Sequence, residues 1–349
     1  GKFKEAEKMR IAVLGSGSLG MIHGALISKA GFDCTLIDVN KEHIDALNKN
    51  GAKIIGLHNE VIPVKAALAK DVKGIFDVIL LHTKQMHMEE ALKSISSNID
   101  EDTIVVTLQN GIPEDKVANL IGRSHVIGGT VFHGAKYIEP GVSELTTEYD
   151  CMHIYIGELD GSISPRIQEL EKIIKATGDA NITEDILSIK WTKLVMNAAL
   201  SGMSAALGCT FGEAGDNYDS MRCMAYICLE GAKIMEKKGL KPVEMEGFIP
   251  TVENYTFNNK KEFEKVDKNL KELILISYNE IASMLQDIRA GRSQCELDDI
   301  NGKVVFEGEQ LGITTPFNST VVYIVKQIMA KKLKPEFDNI KYFNIPDLD

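Results

Sequence analysis

The chain has 349 residues and carries 50 acidic against 39 basic side chains, a net charge of −11. Such a length exceeds one typical core and predicts two domains. The negative balance argues against nucleic acid as a partner, because phosphate binding needs a concentrated positive surface, and it leaves any anionic substrate dependent on local Lys or Arg. Six cysteines form no CxxC pair, and no signal peptide or apolar run of about twenty residues is visible. The expectation is a cytoplasmic protein with no membrane partner and no metal. Residues 1–8 are polar and charged, precede Met9, and read as an extension ahead of the start.

The apolar run Ile11-Ala12-Val13-Leu14 enters Gly15-Ser16-Gly17-Ser18-Leu19-Gly20, and a small-residue helix follows as far as Ala30, with Gly31 as its stop. This is a strand, a GxGxxG turn and a helix. Gly15 serves the tight turn, Gly17 lets the backbone approach a pyrophosphate, and Gly20 lets helix and strand pack closely, so that helix N-terminal amides face the anion. A second strand, Cys34 to Ile37, delivers Asp38. A carboxylate there accepts hydrogen bonds from a ribose and repels a 2′-phosphate, which predicts NAD(H) in preference to NADP(H).

Helix and strand patterns go on alternating, with a polar helix from Lys41 to Asn48, short strands near Lys53 and Val61, and the strand Asp77 to Leu81. A helix from Met88 to Ser97 then leads to the strand Thr103 to Leu108. The alternation predicts an α/β, doubly wound parallel sheet of the Rossmann type. Lys84 and Asn110 each follow a strand end, where open parallel sheets bind ligands, although Lys84 also suits a solvated helix start. Val126 to Gly157 reads as short antiparallel strands added at the sheet edge, Gly134 among them as a further cofactor contact, and Pro165 to Thr177 as one more helix. Strand patterns almost vanish beyond Asn181. The boundary is placed there, giving a dinucleotide-binding domain over 1–182 and a helical substrate domain over 183–349, with the cleft between them as the default active site.

Reduction of a carbonyl needs a proton donor, and histidine is the usual candidate. All eight histidines lie between His23 and His153, so the helical side must use another residue type. The helix predicted over Glu184 to Leu207 carries Lys190, Lys193, Asn197, Ser201 and Ser204 at spacings of three and four, hence on one face, within an otherwise apolar sequence. An ordinary solvated face gives the same pattern. A lone cationic donor among small hydrogen-bonding residues favours a lined cleft.

Residues 9 to about 325 resemble the ketopantoate reductase family. The resemblance is carried, in order, by Gly15 to Gly20, Lys84, Gln109-Asn110-Gly111, Lys193-Leu194-Val195-Met196-Asn197, Ser283-Met284-Leu285-Gln286-Asp287-Ile288-Arg289 and Glu296-Leu297-Asp298-Asp299-Ile300-Asn301-Gly302. It implies a mostly α-helical second domain like the C-terminal domain of 6-phosphogluconate dehydrogenase, a small-molecule 2-oxo acid as substrate, and a homodimer. It also implies Lys193 as proton donor, Glu296 positioning that lysine or the cofactor, and Asn197 and Ser283 on the substrate. Lys84 and Asn110 are implied to touch cofactor and substrate. A surface ion pair of Lys193 with Glu296, and a helix cap at Ser283, are the structural alternatives.

The chain departs from the family's pattern in several places. Ser201 and Phe211 stand where classical members have asparagines, one residue is added between Arg292 and Glu296, and the polar stretch 251–271 reads as an enlarged helical connection. Asp38-Val39-Asn40 supplies an acid where NADPH-using members carry a base. Asp38, Ser201 and Phe211 fit the family's branch of NAD-dependent D-2-hydroxyacid dehydrogenases acting on branched or aromatic 2-oxo acids. The leading expectation is reduction of 2-dehydropantoate to D-pantoate with NADH; a regulatory dinucleotide-binding protein without turnover is the alternative from another class.

Overall fold

A computed structural model describes residues 4–349. The chain divides into two compact units, residues 1–187 and 188–349. The first begins with β1 (Arg10–Leu14), α1 (Leu19–Lys29), β2 (Asp33–Ile37), α2 (Lys41–Asn50), β3 (Ala52–Gly56), β4 (Glu60–Ile62), β5 (Lys65–Ala67) and β6 (Val78–Leu81). It continues with α3 (Gln85–Ser94), β7 (Ile104–Thr107), α4 (Glu114–Ile121), β8 (Val126–Val131), β9 (Ala135–Glu139), β10 (Val142–Leu145), β11 (His153–Glu158), α5 (Pro165–Ile174) and β12 (Asp179–Ile182). Eight strands form the main sheet in the order β12-β11-β8-β7-β6-β1-β2-β5, and four form a smaller one in the order β4-β3-β10-β9. The doubly wound sheet expected from the alternation is present: β1, β6 and β7 are buried throughout or nearly so, as strands covered on both faces must be.

The segment 126–157 differs from its expected form. β8 is parallel to β7 in the main sheet, where the antiparallel pairing is that of β11 with β8, and β9 pairs antiparallel with β10. All six residues of β8 are buried, which suits a doubly covered strand inside the sheet rather than an added edge. β9 and β10 leave the main sheet altogether, and β10 pairs in parallel with β3. Ahead of β1, Ala6 and Met9 are buried, and the Ala6 N–H donates to Glu169 on α5 at 2.8 Å, so this leading segment is part of the packed unit.

The second unit is helical, as the loss of strand patterns predicted. It takes all but the first turn's start of α6 (Ile186–Leu207), then α7 (Phe211–Gly215), α8 (Tyr218–Lys237), α9 (Val252–Tyr255), α10 (Lys260–Leu275), α11 (Ser283–Arg289), α12 (Asn301–Leu311) and α13 (Pro316–Met329). The stretch 251–271 is more than a polar connection. Side-chain oxygens of Thr251 and Asn259 cap α9 and α10, and α10 buries Phe263, Val266, Leu270, Leu273 and Ile274 along one stripe while its other face stays charged.

A buried polar network ties this unit together. Glu230 on α8 accepts the N–H groups of Phe317 and Asn318 at 2.9 and 3.0 Å, satisfying orphan donors in the first turn of α13. Asn318 donates to Glu230 and accepts from Asn301, and Asn301 also donates to the Ala198 carbonyl of α6 at 3.0 Å. Burial outweighs these hydrogen bonds and raises the Glu230 carboxyl from 4.5 to about 7. The folded state therefore holds a proton between those values that the unfolded chain has released, and stability should fall as pH rises through that window and level off above it. Urea titrations of the wild type and Glu230→Gln at pH 5 and 7.5 check this: the substitution should flatten the slope.

Candidate active site

In the first unit the glycine turn is shaped by contacts that a side chain would prevent. Gly15 has φ of 90°, and a β-carbon on it would stand 2.6 Å from the Thr83 nitrogen. A β-carbon on Gly20 would stand 2.1 Å from the Gly15 carbonyl oxygen, so α1 starts directly against the turn. At Gly17 a β-carbon would meet nothing within 4 Å. The space beside Gly17 is thus free for a ligand, and no side chain caps the N-terminus of α1 at Ser18 among the described residues. Exposed backbone donors at an uncapped helix start, beside an open glycine, fit a dinucleotide's pyrophosphate.

Asp38 closes the same site. Its carboxylate accepts the Ser16 N–H and the Asn40 N–H, both at 3.0 Å, one on each oxygen, which leaves a lone pair on each for ribose hydroxyls. Ser16 itself is buried. Its hydroxyl donates to the Val13 carbonyl, so its side chain shapes the turn instead of facing the ligand, and Leu19 likewise packs on the core. Lys84 is exposed as the residue before α3, and Asn110 is exposed after β7. Their loops are joined, because Gln85 donates to the Asn110 carbonyl at 2.7 Å and Gln109 to the Thr83 hydroxyl at 3.5 Å. Gly134 follows β8; its N–H donates to Thr147 and its carbonyl accepts from Thr146, bonds that settle its backbone within the unit.

Sequence reasoning missed the supports of this turn. His43 is buried on α2; its Nε2 lies 2.6 Å from the Ser16 carbonyl and its Nδ1 2.9 Å from the Gly141 nitrogen. A backbone N–H must donate to Nδ1, so the hydrogen sits on Nε2 and donates to Ser16. Ser143 on β10 donates to the Gly17 carbonyl at 3.2 Å. The small sheet therefore braces the glycine turn. A lone histidine in a polar helix gave no periodic signal for this.

In the second unit, α6 is buried on nearly every side. Its partly exposed residues are Leu187, Lys193, Met196, Asn197 and Ser201, so Lys193, Asn197 and Ser201 form an open line at successive turns. Ser204 does not continue it: buried, it donates to the Cys209 carbonyl and accepts the Ala282 N–H. Lys190 is buried too. Loss of solvent, then the neighbouring Lys190 charge, lower the Lys193 ammonium to about 8, with the Glu296 carboxylate acting in the opposite direction. Glu296 opens the short turn 296–299 before α12 and is partly exposed. Ser283 is exposed as the first residue of α11, where the capping position is Ala282, so the expected alternative of a helix cap is not what its side chain does. Phe211 is buried at the start of α7.

Residues 11–161 match the family model described as ketopantoate reductase PanE/ApbA, and residues 185–329 match the model of that family's C-terminal part. A 2-dehydropantoate 2-reductase of Pyrococcus horikoshii is 33% identical over 325 residues, covering 91% of this chain and 97% of that protein. The chain belongs to the ketopantoate reductase family. A family member from Aquifex aeolicus, also a 2-dehydropantoate 2-reductase, is 26% identical over 332 residues, 93% of this chain and 97% of that one. The solved 2-dehydropantoate 2-reductase of Geobacter metallireducens superposes with a TM-score of 0.76 at 26% identity, covering 91% and 99% of the two chains. D-mandelate dehydrogenase, solved with NADH and anilino(oxo)acetate, shares the fold with a TM-score of 0.77 at 23% identity, covering 93% and 99%. As a ketopantoate reductase family member the chain is an oxidoreductase, which sets aside a role without turnover. Among the described residues no helix is long and apolar enough to cross a membrane, and no cluster of metal-ligating side chains is present.

The two inner glycines separate binding from stability. Gly17→Ala should leave denaturation within about 0.5 kcal/mol of wild type while weakening NADH binding about tenfold or more. Gly20→Ala should instead unfold at clearly lower denaturant, because the added carbon meets backbone. Urea melts and fluorescence titration with NADH read both effects.

Proposed function

We propose that the protein reduces a 2-oxo acid, 2-dehydropantoate being the first candidate, with NADH as the preferred donor and Lys193 as the proton donor. The carrying observation is the Lys193 environment: an ammonium lowered to about 8, on the open line of an otherwise buried helix, with Asn197 and Ser201 one and two turns further on. The bound dihydronicotinamide supplies the hydride to the carbonyl carbon. Lys193 Nζ then gives its proton to the carbonyl oxygen, and its charge stabilises that oxygen before the transfer is complete. A donor near 8 is mostly charged at neutral pH yet gives up its proton more readily than an ordinary lysine. Glu296 holds the ammonium charged. Asn197, Ser201, Ser283 and Asn110 offer hydrogen bonds to the hydroxyl and carboxylate of the substrate; Lys84, Gly134 and Glu296 are assigned to the cofactor.

NADH is favoured by Asp38, whose carboxylate is anchored by two backbone amides where a 2′-phosphate would have to sit. The next cation, Lys41, pairs with Asp45 one turn along α2 at 3.2 Å. A D-2-hydroxyacid dehydrogenase acting on branched or aromatic 2-oxo acids is the second reading. Ser201 favours it, because a hydroxyl in place of an amide weakens the grip on a hydroxylated substrate tail.

A panel of 2-oxo acids assayed with both cofactors decides between them; kcat/KM at least a hundredfold better with other 2-oxo acids than with 2-dehydropantoate would remove the first reading. Lys193→Ala should lower kcat by about 100-fold or more, and unchanged activity would withdraw the proton donor. In the reductive direction wild-type activity should fall as pH rises through about 8, as Lys193 loses its proton. Glu296→Gln should move that limb to lower pH and Lys190→Met to higher pH.

For the cofactor, NADH should bind at least about tenfold tighter than NADPH, with Asp38→Ala narrowing the gap. A wild-type preference for NADPH would contradict the assignment of Asp38.

A further inference from the structure

Three histidines outside the proposed chemistry form a continuous chain beneath the glycine turn. His23 Nδ1 lies 2.9 Å from His82 Nε2, and His23 Nε2 lies 3.0 Å from His133 Nδ1. The rings meet edge to face, at 64° and 88°. His23 is fully buried on α1, one turn beyond Gly20. His82 ends β6: its N–H donates to the Leu14 carbonyl at 2.8 Å, and its β-carbon would stand 3.2 Å from a β-carbon on Gly20. His133 follows β8 and precedes Gly134. The chain thus links α1 to two loops at strand carboxyl ends, where open parallel sheets place their ligands.

A neutral imidazole has one N–H and one bare nitrogen. His23 faces a ring nitrogen at both ends, so it must donate at one and accept at the other. If His82 Nε2 donates to His23 Nδ1, then His23 Nε2 donates to His133 Nδ1 and the His133 hydrogen sits on Nε2. In the reverse order His133 Nδ1 donates to His23 Nε2, His23 Nδ1 donates to His82 Nε2, and the His82 hydrogen sits on Nδ1. No mixed order satisfies both links. Burial first, then the mutual repulsion of the rings, hold His23 well below the usual imidazole range and His82 at about 3, so both stay uncharged near neutrality.

We propose that His23 is a positioning residue of the nucleotide site: through its two ring nitrogens it ties the β6 and β8 loops to α1 and locks the tautomers of His82 and His133 in concert. The assignment rests on the dinucleotide site described above. A metal is not the explanation, because the two nitrogens of His23 point to different partners.

Two substitutions and one spectroscopic measurement test it. His23→Gln keeps one donor and one acceptor at a similar separation, whereas His23→Leu keeps bulk and loses both. NADH should bind His23→Leu about tenfold more weakly than wild type, and His23→Gln should recover most of that loss. Wild-type affinity in His23→Leu, or equal loss in both variants, would overturn the proposal, the latter by showing that packing alone matters. Ring-nitrogen NMR of histidine-labelled wild-type protein without cofactor should show three singly protonated imidazoles, with His82 and His133 in the paired tautomers given above. A doubly protonated His23 at neutral pH, or unpaired tautomers, would overturn it whatever the fate of the variants. Failure of the wild type to bind NADH at all would strike the nucleotide site itself, and the NMR pattern would still decide the histidine chain.

Discussion

The first unit depends on the approach of Gly20 to the Gly15 carbonyl, a distance that forbids even one extra carbon. Because α1 begins against β1 so closely, His23 on its second turn reaches the end of β6, and the amides of its first turn open beside Gly17. The same closeness brings the Ser16 N–H to Asp38 and the Ser16 carbonyl to His43. A single backbone contact thereby fixes where the supporting histidines stand and where phosphate and ribose would stand in the proposed dinucleotide site. The small sheet adds a second brace, through Ser143 on the Gly17 carbonyl and Gly141 on His43. Loops that carry ligands are usually the least stable parts of a fold, and bracing this one from two sides limits the ordering that binding must impose.

In the second unit the corresponding constraint is Asn301. Its amide bonds to the Ala198 carbonyl, and a β-carbon on Gly202, one turn along α6, would stand 2.7 Å from its oxygen. Ala198 and Gly202 each follow a member of the open line, Asn197 and Ser201. The turn holding Glu296 leads directly into α12, whose first residue is Asn301. The carboxylate that counterbalances Lys193 is therefore carried on a segment anchored to the lysine's own helix, and through Asn318 to Glu230 on α8. A buried network of this kind is costly if half satisfied; here it connects four helices.

Much of this was legible in the sequence because the signals are local. GxGxxG after an apolar strand, an acid at the end of the next strand, and a polar line at spacings of three and four each state their geometry within about twenty residues. The lysine face was legible for the same reason, although Ser204 shows its limit: periodicity places a residue on a face without saying where that face is covered. What escaped was non-local. The parallel pairing of β10 with β3 joins residues some ninety positions apart in sequence, and the chain His82–His23–His133 depends on a helix and two loops that meet only when the sheet is built. The eight histidines were noted for where they are absent, and their role lay in where three of them converge. In α10 the high charge hid a stripe of five buried apolar residues that its spacing does contain.

The electrostatics of Lys193 would reconcile a strongly acidic protein with the chemistry proposed on an anionic substrate. The summed field of a chain at −11 repels a carboxylate. Two lysines three residues apart on a buried helix set a local field of the opposite sign, and low polarisability around them strengthens it at short range. Burial and the second ammonium both favour loss of the Lys193 proton. One carboxylate on the Glu296 turn partly offsets this, leaving Lys193 at about 8. Burial acts first, and Lys190, itself buried and given no role by the sequence, adds to it, which separates the proposed donor from an ordinary surface ion pair.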